Sequence, residues 1–240
     1  MEEQLRHGRE YYLQEYLREF VYGGIDGAVT TFAVVAGAVG AGLEIHIILI
    51  LGFANLLADG FSMSVGAYLS AKSDLETYTK HRQVEYWEVD HLPDTERDEV
   101  REIYRKKGFT GKLLEEVVQV ITADKDRWVD EMMTNELQLL KEQKSPIKIG
   151  LATWISFVMV GFIPLSLYVY DFVYNPAINL FLWTCVFTSV AFFVIGWLKS
   201  FVNQTNRWQS IGETLLLGIL AAGVAYVVGD FLETLLVNWA

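Results

Sequence analysis

The sequence holds one cysteine, four prolines and four histidines in 240 residues, and outside one stretch it holds hardly any charge. A single Cys185, set in an apolar run, excludes a disulfide framework within the chain and a thiolate cluster for zinc or iron–sulfur. So few prolines, with no Gly/Ser-rich tract, leave little room for disordered linkers. Basic residues are outnumbered 19 to 30 by acidic ones, for a net charge of -11. That balance excludes nucleic acid as a partner, which needs a basic footprint.

What is present in excess is apolar and aromatic: 52% and 14% of the residues, with a mean hydropathy of +0.25. Between Lys72 and Lys148 lie 14 basic and 18 acidic side chains, whereas the rest of the chain shares 5 and 12. The pattern is that of a membrane protein wrapped around one water-facing segment. Residues 149–170 run 22 positions without a charge and residues 172–198 run 27, each enough to cross a hydrocarbon core of about 30 Å. A third C-terminal span is expected at about 210–236, between Glu213 and Asp230 at its ends, with small residues spaced for tight helix contact in lipid. In the N-terminal half, Glu44 and His46 mark a turn between spans 20–43 and 46–70. The fold class is therefore an all-α integral membrane protein with five transmembrane helices.

The basic residues orient it. Arg6, Arg9 and Arg18 precede span 1, the basic residues of 72–148 follow span 2, and Lys199 and Arg207 lie between spans 4 and 5. The alternate loops have none, so the N-terminus and the insert are expected in the cytoplasm and the C-terminus on the outer or lumenal side. Residues 1–19 have no apolar h-region and read as an interfacial amphipathic helix. The expected segments are 1–19, transmembrane helices 1 and 2 in 20–71, a cytoplasmic helical domain in 72–146, and spans 3 to 5 in 147–240.

The insert reads as three helices, about 72–90, 94–107 and 111–142, separated at His91-Leu92-Pro93 and at Gly108. Glu85 and Glu88 share a helix face, as do Glu96 and Glu99, while Glu136 follows Met132 and Met133 by four and three positions. Stacked carboxylates repel, and a divalent cation turns that repulsion into binding; thioethers favour softer transition metals. A solvated acidic surface over two core methionines has the same spacing.

Asp26 lies in the Gly/Ala-rich YGGIDGAVTTFAVVAGAVGAG and Asp59 in the middle of span 2. Carboxylates in lipid are costly and usually face a pathway, a cavity or a partner. Thr30 and Thr31 lie one turn beyond Asp26, and Met63 one turn beyond Asp59 between Ser62 and Ser64. Asp26, Asp59 and Met63 together suit a transition-metal cation, and the carboxylates also suit protons. Against this, Asp26 at the interface can cap span 1 and Met63 can simply pack. His46 and His81 read as loop and solvated face.

YGGIDGAVTTFAVVAGAVGAG, LLADGFSMSVGAYLSAKSD, the EYWEV and TERDEVREIYRKKG stretch, and RWVDEMMTNELQL together resemble the vacuolar iron transporter family, in order over nearly the whole chain. The resemblance implies a homodimer with its translocation pathway between subunits, moving ferrous iron, and manganese as in the yeast member, out of the cytosol in exchange for protons. It implies that Asp26 and Met63 line that pathway; Asp59, the one second-span carboxylate, is expected from its position to help in ion or proton movement. It also implies that Glu85, Glu88, Glu96, Glu99, Met132, Met133 and Glu136 gather metal on the cytosolic side. No cofactor is expected: Fe²⁺ is substrate and bound ion, and Mn²⁺, Zn²⁺ or Co²⁺ fit the same donors. One departure stands out, Asn55 about where the family carries a further second-span acid. The short N-terminus fits a prokaryotic plasma-membrane protein.

Two other classes are weighed against transport. A membrane-anchored sensor or store needs only the insert. A di-iron enzyme needs Glu-x-x-His motifs on two facing helices; the insert has one such spacing, Glu88 to His91, and no second, so the chain is not expected to be an enzyme.

Overall fold

The computed structural model describes residues 16–141, 144–174 and 178–237. The expected N-terminal amphipathic helix lies almost wholly outside them, Arg6 and Arg9 included. Among the described residues there are helices and no strands: α1 (Leu17–Gly40), α2 (Ile45–His91), α3 (Pro93–Lys106), α4 (Gly111–Thr122), α5 (Lys125–Asn135), α6 (Pro146–Gly161), α7 (Ile163–Tyr174), α8 (Leu180–Asn203) and α9 (Arg207–Val237). They form two compact units, one of residues 1–68 with 144–240, the other of residues 69–143.

The first unit is organised around α1, whose glycines let neighbouring backbones come close. A Cβ on Gly23 would sit 2.8 Å from the carbonyl oxygen of Thr153, and one on Gly27 would run into the carbonyl of Phe157. From the other side, a Cβ on Gly161 would lie 2.7 Å from the carbonyl oxygen of Gly27. So α1 and α6 cross almost backbone to backbone, the mode of association that small residues permit where lipid supplies no hydrophobic drive. Gly40 and Gly229 do the same between α1 and α9. Larger side chains fill the remaining space: Val35, Ile48, Leu56, Phe157, Leu165 and Tyr168 in one cluster, and Phe32 edge-on to Phe192 at 6.3 Å in another.

Four helices, α1, α2, α8 and α9, are long and apolar enough to cross a membrane. The stretch expected as one straight third span is instead broken into α6 and α7, bent by 48°. Pro164 explains the break. It has no N–H to donate to Val160 and its ring crowds the preceding turn, so the helix ends at Gly161 and restarts. Among the described residues there are thus four such helices, or five when the bent pair counts as one span.

In the second unit α2 continues without interruption to His91, and α3 begins at Pro93, where proline's missing N–H costs nothing. The helix expected over 111–142 is two helices. Asp124 takes an extended conformation and its side chain accepts from the Arg127 N–H at 2.8 Å, capping α5 where a continuous helix was expected. The core here is Val89, Val100, Leu114, Val118, Ile121, Trp128, Val129, Met132 and Met133.

The crossing of α1 on α6 can be measured. Gly27→Ala places its methyl against a carbonyl that belongs to a packed helix, and is expected to cost about 1–3 kcal/mol of stability. Gly66→Ala meets nothing within 4 Å and is expected to be neutral or to gain up to about 1 kcal/mol from helix propensity. Thermal unfolding of the two detergent-solubilised variants checks the contrast; equal midpoints would refute the close crossing.

Candidate functional site

Two constellations emerge, one in each unit. In the first, a cleft of about 880 Å³ opens between the first half of α1, the middle of α2 and one side of α9. Asp26 and Tyr22 line it from α1 and Met63 from α2, and α9 closes it with Leu217, Leu220, Ala221, Val224, Ala225 and Val228. Asp59 does not line this cleft. It is exposed on α2, among the exposed Leu57 and Phe61, yet close enough to Asp26 for the two charges to interact. Met63 is half-buried, with one side on the cleft and the other against the Phe157 cluster.

The hydroxyls near these residues are mostly committed elsewhere. Thr30 donates to the Asp26 backbone carbonyl at 2.9 Å, bonding back into its own helix, and Ser64 donates to the Gly150 carbonyl at 2.8 Å. Asn55 is half-buried and its amide nitrogen has no partner. Tyr22 is bonded by Asn203, whose Nδ2 donates to the phenol oxygen at 2.9 Å.

The second unit brings Glu85, Glu88, Glu96, Glu99 and Glu136 within electrostatic reach of one another. They come from three places: the last part of α2, the first half of α3, and the residue that caps the C-terminus of α5, where the Glu136 N–H donates to the Met132 carbonyl at 3.0 Å. Glu85 and Glu96 are each only 3% exposed. Each has one carboxylate oxygen buried without a hydrogen-bond partner. Met132 and Met133 are fully buried in the core with Val89 and Val100, the residues next to Glu88 and Glu99 in sequence.

What marks these five acids is that they adjoin one another with no cation among them. Nine other acids of the unit are paired: Glu76 with Lys72, Asp90 with Lys125, Asp94 with Arg97, Asp98 and Glu115 with Arg101, Glu102 with Arg105, Glu116 with Lys112, Asp130 with Arg82 and Glu131 with Lys107. Asp124 and Asp126 instead accept from the Arg127 N–H and the Tyr86 hydroxyl. Among the described residues none of the five is in an ion pair. Burial, reinforced by Glu136, Glu88 and Glu99, pushes the Glu85 carboxyl up to about 7. Burial, then Glu99, Glu85, Glu88 and Glu136, pushes Glu96 up to about 8. Glu99 and Glu136 are raised too, again first by burial and then by neighbouring carboxylates. Among the described residues no three His, Cys, Asp or Glu side chains converge tightly enough to cage a metal ion as they stand. The acids are neighbours, held apart.

The histidines play lesser parts. His46 pairs with Glu44 at 3.2 Å in the α1–α2 turn, and His91 stacks on Trp87. Sequence reasoning missed the wall contributed by α9, for which the spacing of Ala221 and Ala225 was the available signal. It also missed the pairs made between helices, such as Arg82 with Asp130 and Arg101 with Glu115, which only the packing reveals.

The VIT family matches residues 17–230 of this chain. A vacuolar iron transporter of Toxoplasma gondii is 37% identical over 227 residues, covering 91% of this chain and 75% of the relative. That of Plasmodium falciparum is 30% identical over 95% of this chain and 86% of its own length. Vacuolar iron transporter 1 of Arabidopsis thaliana is 30% identical over 91% and 87%. These names overturn the expected plasma-membrane location: each is that of a vacuolar protein, which points to an intracellular vacuolar membrane. The short N-terminus was a poor guide, because chain length says nothing about which membrane receives the helices. A match this long, in a chain whose helices suffice to cross a membrane four or five times, makes this protein a member of the VIT family, a family of transporters and not of enzymes.

Proposed function

We propose that the chain exports ferrous iron, and manganese, from the cytosol across a vacuole-type membrane in exchange for protons, and that it does so as a homodimer. The observation that carries this reading is the cleft: a carboxylate and a thioether, Asp26 and Met63, on the wall of an otherwise apolar opening between membrane-crossing helices. A hard oxygen ligand beside a soft sulfur suits Fe²⁺ and Mn²⁺ better than Mg²⁺ or Ca²⁺, which prefer oxygen alone. An anchored sensor or store has no use for such a cleft. Export of iron also agrees with the names of the relatives, all iron transporters.

Asp59 supports the dimer. A carboxylate on an exposed face with Leu57 and Phe61 does not tolerate lipid, and a second copy of the chain apposed to α2 removes it from lipid and places it near Asp26. In that arrangement Asp59 helps to pass the ion or its exchanged proton, standing one turn from Asn55.

The five-carboxylate group captures the ion first, on the cytosolic side where the basic residues of the insert belong. Glu85, Glu88, Glu96, Glu99 and Glu136 supply oxygens, and Met132 and Met133 supply sulfur after a small rearrangement of the core edge. Without metal, Glu85 and Glu96 keep their protons near neutral pH; a divalent ion displaces them.

The sign of the pH dependence follows. A carboxyl raised in the folded state contributes stability that is fully present below its ordinary value of 4.5 and is lost as pH rises through about 7 for Glu85 and about 8 for Glu96. Metal-free protein is therefore expected to lose thermal stability across that window, while Fe²⁺ or Mn²⁺ binding strengthens across it with release of protons. Glu85→Gln with Glu96→Gln is expected to flatten both profiles and abolish binding. Calorimetric titration at several pH values checks this, and a pH-independent affinity would rule the capture site out.

Transport itself is tested in proteoliposomes with reduced iron and an imposed pH gradient. Wild-type uptake is expected to follow the gradient. Asp26→Ala is expected to abolish it and Met63→Leu to reduce it by at least about tenfold, the loss of roughly 1.4 kcal/mol of ion stabilisation. No uptake by folded, metal-binding protein would leave the anchored store as the better account.

A further inference from the structure

The first unit contains a second polar feature that the ion cleft does not use. Thr31 on α1, Thr184 and Thr188 on α8 and Tyr168 on α7 are all buried, and their hydroxyls find no partner outside the group, Tyr168 and Thr184 lying within hydrogen-bonding reach of each other. Threonine inside a helix ordinarily bonds back to the carbonyl four residues earlier. Five others do so among the described residues: Thr30 to Asp26, Thr79 to Leu75, Thr122 to Val118, Thr153 to Ile149 and Thr214 to Ser210. Thr31, Thr184 and Thr188 do not.

These hydroxyls are carried by packed helices. α1 and α8 pack antiparallel, with Gly24 on Ile195 and Phe32 on Phe192. Those two contacts bring Thr31 opposite the turn of α8 that runs from about Thr188 to Phe192. Thr184 is one turn beyond, and there the Tyr168 phenol lies close to Thr184, Cys185 and Asp171. Asp171, 7% exposed, ends the row near the α7–α8 connection. At the other end Asp26 lies five residues before Thr31 on α1, about 7.5 Å along the helix. Between these two carboxylates α1, α7 and α8 carry no Lys or Arg, and the other titratable group facing Tyr168 is Cys185.

Leaving buried hydroxyls short of hydrogen bonds is a cost that a marginally stable fold does not carry without compensation. Internal water is the ordinary remedy where several polar groups adjoin. We propose that Thr31, Thr188, Thr184 and Tyr168 form a hydrated ladder that carries protons between Asp171 and the level of Asp26, separate from the cleft that carries the ion. This inference rests on the proton-exchange reading above. It assigns the returning proton its own route, handed from Asp171 along hydroxyls and waters, each accepting one proton and releasing another, so that no net charge accumulates on the ladder.

The test uses the full chain, with Thr184→Val and Thr188→Val combined, the matching Thr→Ser pair, and Asp171→Asn. Two readouts are independent. The first is the thermal midpoint in detergent. A hydrated ladder loses bonds when valine replaces threonine, so the midpoint is expected to fall for the valine pair and to hold for the serine pair. A dry ladder is relieved of unbonded hydroxyls, so a raised midpoint overturns the proposal. The second is proton movement accompanying iron uptake into vesicles holding a pH dye. It is expected to be lost with the valine pair and with Asp171→Asn, and kept with the serine pair; wild-type proton movement in the valine pair overturns the route. Iron uptake by the wild type without any proton movement would overturn the exchange reading and the route with it, while the midpoints still report whether the ladder is wet.

Discussion

A carboxylate placed out of water with no cation beside it is the constraint on which the rest of this molecule turns. Such a group either keeps its proton or takes up a metal ion, and in both cases its charge is supplied from solution instead of from the fold. The second unit applies the constraint selectively. Nine of its acids are matched to Lys or Arg across or along helices, and those pairs on the surface contribute little to stability. The five that adjoin one another are left unmatched, two of them almost fully buried. Repulsion among the five opposes folding, and the core of Val100, Val118, Trp128, Val129 and the two methionines holds the helices together in spite of it. The methionines thus fill core space first, at the place where sulfur is also nearest the acids in sequence.

The membrane unit meets the same constraint by different means. Lipid supplies no counter-charge, so Asp26 is placed on a helix whose glycines seat it tightly against α6 while its side chain opens into a cleft. The glycines before and after Asp26 therefore serve two purposes. They bring α1 against α6 by backbone contact, and they leave the aspartate on the one side of α1 that α6 does not cover. A bulkier α1 would either push the helices apart or fill the cleft.

Much of this was legible in the sequence, and what was not has identifiable causes. Apolar runs and the crowding of charge into 72–148 gave the helical membrane character, because hydropathy over some twenty residues is a property of the chain alone. The acid pairs at Glu85/Glu88 and Glu96/Glu99 were visible from helical spacing. The break at Pro164 and the cap at Asp124 were written in single residues, but each lay inside a run whose average composition argued for continuity. The partition of acids into paired and unpaired sets could be read only where partners share a helix, as Asp94 and Arg97 do; the rest could not. Arg101, for instance, reaches Glu115 fourteen residues away, across two helices. Nor could the location be read, since the same helices suit any bilayer of similar thickness.

Thr31 illustrates the limit most sharply. In the sequence Thr30 and Thr31 are equivalent neighbours of Asp26, and either hydroxyl could serve a bound ion. Helix geometry separates them by a 100° rotation, and their fates diverge. Thr30 closes a bond onto the Asp26 carbonyl, which commits its proton and turns the hydroxyl back onto its own helix. Thr31 turns into the bundle, opposite the turn of α8 from about Thr188 to Phe192, where no protein group answers it. If ion and proton are exchanged, opposite fluxes through a single file would have to alternate at every step. Two adjacent faces of α1, one lined by a carboxylate and a thioether and the other by hydroxyls, allow the two traffics to be chemically distinct while sharing the helix that couples them. Hydroxyls bind divalent ions too weakly to strip their water, and a thioether does not relay protons, so each face excludes the other's cargo by the chemistry of its side chains.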